Sequence, residues 1–192
     1  MHQPNQADRE AQAYLNEFHE ILNTMIHGMT NAGLNQSISH NFIRQIIPHH
    51  RAAIEMSRDL LQYSEFEPLR EIALNIIEEQ TESIADMEKA LPTCTLLKNT
   101  GRELQAYQQH FRRIVNTMFI KMRRAPVSNN INVMFMREMI PHHLGAIRMS
   151  ENALRFPICA ELLPILHSII VSQENGVREM EALLREFENQ KQ

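Results

Sequence analysis

Two pairs of adjacent histidines, His49-His50 and His142-His143, each follow an Ile-Pro dipeptide and precede a methionine, Met56 or Met149. Imidazole and thioether together suit a soft ion such as Cu(I) or Ag(I) rather than magnesium or calcium. Helix geometry restricts how they can act. His49 and Met56 stand seven residues apart, which is ~10.5 Å along a helix axis. Both side chains lean toward the helix N-terminus, so one ion is not chelated within one helix. Neighbouring histidines diverge by ~100° and do not easily share an ion. Any site must gather ligands between helices, such as His49 with Met87 or with a methionine of the other repeat unit described below.

The bland reading of an inward histidine is a core residue bonded to a backbone carbonyl, since an unsatisfied buried imidazole costs ~1–3 kcal/mol. Two adjacent histidines, repeated with their methionine, are harder to dismiss. Met25 with Met29, and Met118 with Met122, sit at helical spacing and either pinch an ion or fill the core. Met134, Met136 and Met139 read as packing. His2, His19, His27, His40, His110 and His167 are not repeated and read as incidental.

The pairs recur because the chain is duplicated. Residues 14–91 align with 107–184 at a constant offset of 93 without a gap, and about 28 of the 78 pairs are identical. The densest match joins Ile47-Pro48-His49-His50 to Ile140-Pro141-His142-His143 and continues through Met56-Ser57 and Met149-Ser150. Gln80 pairs with Gln173, and Met87-Glu88 with Met180-Glu181. A repeat of this length is a structural unit.

Each unit reads as three helices. Tyr14, Phe18, Ile21, Leu22, Met25 and Met29 form one apolar stripe, stopped by Asn31-Ala32-Gly33. The second helix runs from about Ser37 to Tyr63, with Arg44, Gln45, Arg51, Glu55, Arg58, Asp59 and Gln62 marking its solvent face. Both histidines fall on its packed side. Pro48 and Pro141 lie inside this pattern and leave the carbonyls of Arg44 and Arg137 without their usual donors, which predicts a kink. The third helix starts near Pro68 and carries Gln80 amid an apolar stripe. That amide, like Gln173, either orients a histidine or reaches water at the stripe's edge. The expected boundaries are unit one over 8–91, a linker over 92–99 and unit two over 100–188, with helices near 100–124, 129–155 and 160–188. Neither unit buries enough surface alone, so the two are expected to pack about a pseudo-two-fold axis as one all-α bundle over residues 1–192.

Composition narrows the function. The 192 residues carry 19 basic and 23 acidic side chains, a net charge of -4, which gives no support to nucleic-acid binding. Cys94 and Cys159 are too few for a disulfide framework or a cysteine-rich zinc site. No apolar run approaches the ~20 residues of a membrane span, and Met1 to Asn5 carry no export signal. A cytoplasmic protein is expected, or an extracytoplasmic one if a leader was removed. The expected partner is a metal ion, with a homo-oligomer possible.

The segments Ile47-Pro48-His49-His50-Arg51-Ala52-Ala53-Ile54-Glu55-Met56-Ser57 and Met139-Ile140-Pro141-His142-His143-Leu144-Gly145-Ala146-Ile147-Arg148-Met149-Ser150 resemble the hallmark of a bacterial family, domain of unknown function 305. Gln80 to Met87 and Gln173 to Met180 echo its later Gln-x-x-Glu-Ile-x-x-Met signature. The resemblance implies a ferritin-like helical bundle and, from members linked to copper resistance, a copper role. It places His49, His50, Met56, His142, His143 and Met149 among the candidate ligands; Met87 and Met180 close the later signature. The family's glutamate is replaced here by Ser83 and Gly176.

The leading expectation is a non-enzymatic binder of soft metal, Cu(I) above all, acting in buffering or sequestration. The alternative is a structural, interaction or stress-response bundle in which the histidines pack or sense pH. A di-iron enzyme wants Glu-x-x-His motifs on facing helices, and this sequence has none. No motif supports a hydrolase or transferase.

Overall fold

The computed structural model describes residues 6–189, and over them it is helical with no strand. His2 and the expectation for Met1 to Asn5 lie outside the described residues. Unit one contributes α1 (Gln6–Thr30), α2 (Ile38–Tyr63) and α3 (Glu67–Cys94); unit two contributes α4 (Gly101–Arg123), α5 (Ile131–Ala153) and α6 (Leu162–Asn189). The α1 stripe is buried as its spacing demands: Tyr14, Phe18, Ile21, Leu22, Met25 and Met29 all face the core. So do Met118, Met122, Met134, Met136 and Met139.

Local signals set the helix starts. Ser37 caps α2 by accepting from the His40 amide, and Asn130 caps α5 by accepting from Val133. Thr100 and Glu103 form a reciprocal capping box on α4, the Thr100 amide donating to the Glu103 carboxylate at 2.7 Å. Such caps contribute ~1 kcal/mol each.

α2, α3, α6 and α5 each pack on the next and close a ring of four, while α1 and α4 cover the outer sides of α2 and α5. The pseudo-two-fold axis runs through this ring, between α2 and α5 on one side and α3 and α6 on the other. Pro48 and Pro141 sit inside uninterrupted α2 and α5. Pro48 is seated against α1 at Gly28, where an added Cβ would come within 2.8 Å of the proline ring. The proline therefore fits the helix to its neighbour.

The structure corrects two expectations and adds a cross-link that the cysteine count did not foresee. First, α3 runs through Pro92 to Cys94, because a proline in an exposed last turn removes only one terminal hydrogen bond. The linker is correspondingly shorter. Second, Cys94 and Cys159 form a disulfide across 65 residues. The fold brings the end of α3 beside the segment preceding α6, which residue counting does not reveal. The pseudo-symmetric positions are Phe187 and Phe66, whose rings meet edge-on at 5.2 Å. Third, Gln45 and Asp59 are buried, not on the solvent face. At ~100° per residue, Arg44, Arg51, Glu55, Arg58 and Gln62 cluster around one direction, whereas Gln45 and Asp59 lie on its flank, turned toward neighbouring helices.

That flank carries a buried polar pair on each side of the axis. The Tyr107 hydroxyl donates to Gln45 Oε1 at 3.0 Å. At the equivalent place, the Tyr14 hydroxyl donates to Glu138 Oε2 at 2.8 Å. Asp59 raises the Glu138 proton affinity further, where the other half has Asn152 bonded to the Tyr107 carbonyl at 3.1 Å.

Candidate functional site

The four motif histidines are buried and divide into two kinds. His49 and His142 meet on the axis, where α2 crosses α5. Their rings stack with centroids 3.5 Å apart and planes 23° from parallel. Each Nε2 donates to the other's backbone carbonyl at 3.1 Å. A carbonyl only accepts, so each ring carries a proton on Nε2. Burial holds their pKa values well below the ordinary range, and nearby histidines add to the effect. Imidazole lone pairs lie in the ring plane, so one ion cannot sit in both stacked planes at bonding distance. These two histidines join the halves of the bundle, the role of a core histidine bonded to a carbonyl.

His50 and His143 turn the other way, toward the third helix of their own unit. His50 Nε2 meets the Ser83 hydroxyl of α3 at 3.1 Å. Unit two has Gly176 where unit one has Ser83. A Cβ added there would lie 3.1 Å from His143 Nε2, 3.0 Å from its Cδ2 and 4.0 Å from the Met180 methyl. The missing side chain thus lets the His143 imidazole edge pack directly on the α6 backbone, with the Met180 methyl beside it. The Nδ1 atoms of all four motif histidines have no partner, but only at His143 does no hydrogen bond among the described residues reach Nε2. Burial lowers the pKa of the His50 and His143 rings to about 3, and for His50 the cost of a second positive charge close to His142 and His143 adds to it. A neutral imidazole with a free lone pair is the form that binds metal, with no proton to displace at neutral pH.

Of the expected ligands, the structure brings His49 to His142 and His143 to Met180. It points His49 at the axis, not at Met87. Met56, Met87, Met149 and Met180 are all buried in the hydrophobic core. Among the described residues, the one cluster of three His, Cys, Asp or Glu donors within 4.8 Å is Cys94, Cys159 and Glu161, and its sulfurs are spent in the disulfide. No such cluster of three lies at the histidine motif among the described residues.

Gln80 and Gln173 are buried, and neither hydrogen-bonds a histidine; their Oε1 atoms have no partner. Both line a cleft of about 290 Å³ between α3 and α6, which His50 and Ser83 also border and Glu79, Glu82 and Asp86 rim. Sequence reasoning found the two glutamines from their place in an apolar stripe. It missed the acidic rim, because exposed carboxylates on a helix carry no signal of a cleft beside them.

The model for the family described as domain of unknown function (DUF305) matches residues 2–91 and again 39–184. The chain belongs to the DUF305 family. Two solved structures share its fold. A DUF305 fragment from Deinococcus radiodurans is 24% identical with a TM-score of 0.57, over 78% of this chain and 96% of that one. CopM in its Cu(II)-bound form is likewise 24% identical with a TM-score of 0.57, over 78% of this chain and 97% of that one. No curated protein sequence matches the chain. No helix among the described residues of this DUF305 protein is long and apolar enough to cross a membrane.

Proposed function

We propose that this DUF305 protein binds copper as Cu(I) for buffering or sequestration, using imidazole and thioether donors contributed by adjacent helices. His143 of α5 and Met180 of α6 are its best-placed donors. His50 and Met87 occupy the corresponding positions in unit one, where Ser83 engages the imidazole. His49 and His142 hold the two units together instead of ligating.

The observation that carries this reading is the His143 imidazole: buried, neutral, with no hydrogen bond among the described residues to its Nε2, and with its Nε2–Cδ2 edge against Gly176 beside the Met180 methyl. Leaving a buried polar group unbonded costs free energy that packing alone does not recover. A soft ion would use that lone pair and a sulfur that water solvates poorly. The family relation and a copper-bound neighbour of the same fold point the same way. The copper is cargo, so no catalytic step is attached to it.

The test is an anaerobic titration of the purified protein with Cu(I) against a chromogenic chelator. Stoichiometric binding is expected, weakened by at least about tenfold in His143→Gln and Gly176→Ser, with circular dichroism unchanged. Gly176→Ser reproduces unit one's own residue and, by its close approach to the His143 edge, displaces that imidazole, so it tests the same donor by a second route. Binding no tighter than micromolar, or binding indifferent to both substitutions, overturns the reading.

A further inference from the structure

The outer faces of α3 and α4 carry opposite charge. α3 holds seven acidic and two basic residues. α4 with its cap Arg124 holds six basic and one acidic, in a chain whose net charge is -4. Within one chain α3 packs on α2 and α6, and α4 packs on α5, so both outer faces are left to solvent.

The two faces share one pattern. On α3, Glu67, Glu71, Leu74 and Glu78 are exposed at intervals of four, three and four residues, which at ~100° per residue keeps them on one stripe. On α4, Arg113, Thr117, Ile120 and Arg124 are exposed at the same intervals, with Lys121 and Arg123 on the flanks. Leu74 is 54% and Ile120 52% exposed, so each stripe presents one large apolar side chain between like charges. Beside Ile120 an open hollow of about 500 Å³ lies between α4 and α5, lined also by Pro126, Ile140 and Leu144 and by Lys121 and Arg124. Among the described residues, Arg113, Lys121, Arg123 and Arg124 form no ion pair, and neither do Glu71 and Glu78.

The duplication does not require either stripe. At the offset of 93, His167 stands for Leu74, Val171 for Glu78, His27 for Ile120, Glu20 for Arg113 and Asn31 for Arg124. Cations around an exposed isoleucine and an apolar hollow fit an acidic helix that presents one apolar side chain. The chain's own α3 is such a helix.

We propose that the α4 face of one copy docks on the α3 face of a second copy. Laid side by side, the stripes set Leu74 against Ile120 and its hollow, with Glu71 and Glu78 among the α4 cations. The contact joins two different faces, so association continues head to tail unless it closes into a ring. One helix on one helix is at the small end of interface sizes, and a dissociation constant on the order of 10–100 μM is expected. The interface uses none of the proposed copper ligands.

The test is sedimentation velocity of the full, metal-free chain. Parent protein is expected to grow beyond the dimer with concentration at low salt, and to associate at least about tenfold more weakly in about 0.3 M salt, where exposed charges are screened. R113E/R124E and E71R/E78R, all at exposed positions, should each be monomeric with circular dichroism unchanged. Their equal mixture should associate again, because each variant keeps the native face that the other's native face fits. Three results overturn the proposal: a parent that stays monomeric at about 1 mM and low salt, a variant that associates as the parent does, or a mixture that stays monomeric. A monomeric parent that binds phosphatidylglycerol vesicles through α4 also overturns it and gives that face to a lipid surface. Loss of the copper reading leaves it standing.

Discussion

Replacing Glu138 by glutamine should make the protein more stable in alkali and leave it almost unchanged in acid. Glu138 is 2% exposed, and burial pushes its carboxyl up to about 8 from 4.5, with Asp59 adding to the shift and the Tyr14 hydrogen bond opposing it. A group whose folded pKa is raised in this way is protonated in the fold while the unfolded chain has already lost its proton. Stability is therefore present below about pH 4.5 and falls as pH rises toward 8. The shift corresponds to about 5 kcal/mol in total, of which about 3 kcal/mol is gone by pH 7. Glutamine removes the titration without removing the contact, because Gln45 already accepts from Tyr107 at the equivalent place. Burial also lowers the pKa of the four motif histidines. Their contribution has the opposite sign and is lost as pH falls below about 6.5. It is common to both proteins and cancels in the difference. Urea unfolding of parent and E138Q at about pH 5, 7 and 9 gives that difference directly. A variant advantage that grows by several kcal/mol across the range is expected. Parallel profiles would refute the assignment of Glu138 as a buried carboxyl held neutral by the fold.

Two further outcomes follow from the cross-links between the halves. The Cys94–Cys159 bridge closes a loop of 65 residues, so C94A/C159A should lose about 4 kcal/mol in urea unfolding and reduced parent should behave likewise; equal stability of oxidised and reduced protein would contradict a formed bridge. His49→Leu removes one half of the stacked pair and one of its two carbonyl bonds. It should cost about 2–4 kcal/mol by thermal melting while leaving Cu(I) affinity intact. A copper loss as large as that of H143Q would instead return His49 to the ligands.

Much of the fold was legible because the duplication states it twice. Stripes that are ambiguous once become reliable when Tyr14, Phe18 and Met25 recur as Tyr107, Phe111 and Met118 in phase. The division of labour among the histidines was not legible. His49 and His50 both fall on the packed side of α2, and ~100° of rotation decides which meets the axis and which meets α3. Only the crossing of α2 on α5 settles that. Gln45, Asp59 and Glu138 escaped for a related reason. A polar residue at the edge of a stripe looks solvated until the helix that covers it is in place. The disulfide depends on a contact between chain segments that no local pattern announces.

The duplication also allows a kind of inference that a single-copy bundle does not. Where both halves keep a residue, as at His49 and His142, symmetric packing across the axis is sufficient cause. Where they differ, one half shows what the fold tolerates and the other shows a departure from it. Gln45 and Asn152 show that this framework accepts neutral amides where the other half buries Glu138 and Asp59. Ser83 shows that it accepts a hydroxyl on His50, where Gly176 leaves His143 unpartnered. Phe66 and Phe187 show that an aromatic contact fills the place that Cys94 and Cys159 bridge covalently. Packing does not require the buried carboxyl pair, which is costly, whereas the close approach of His143 does require Gly176 where the ring now sits. Exchanging residues between halves, as E138Q and Gly176→Ser do, therefore separates the residues that build the bundle from those that give it something to do.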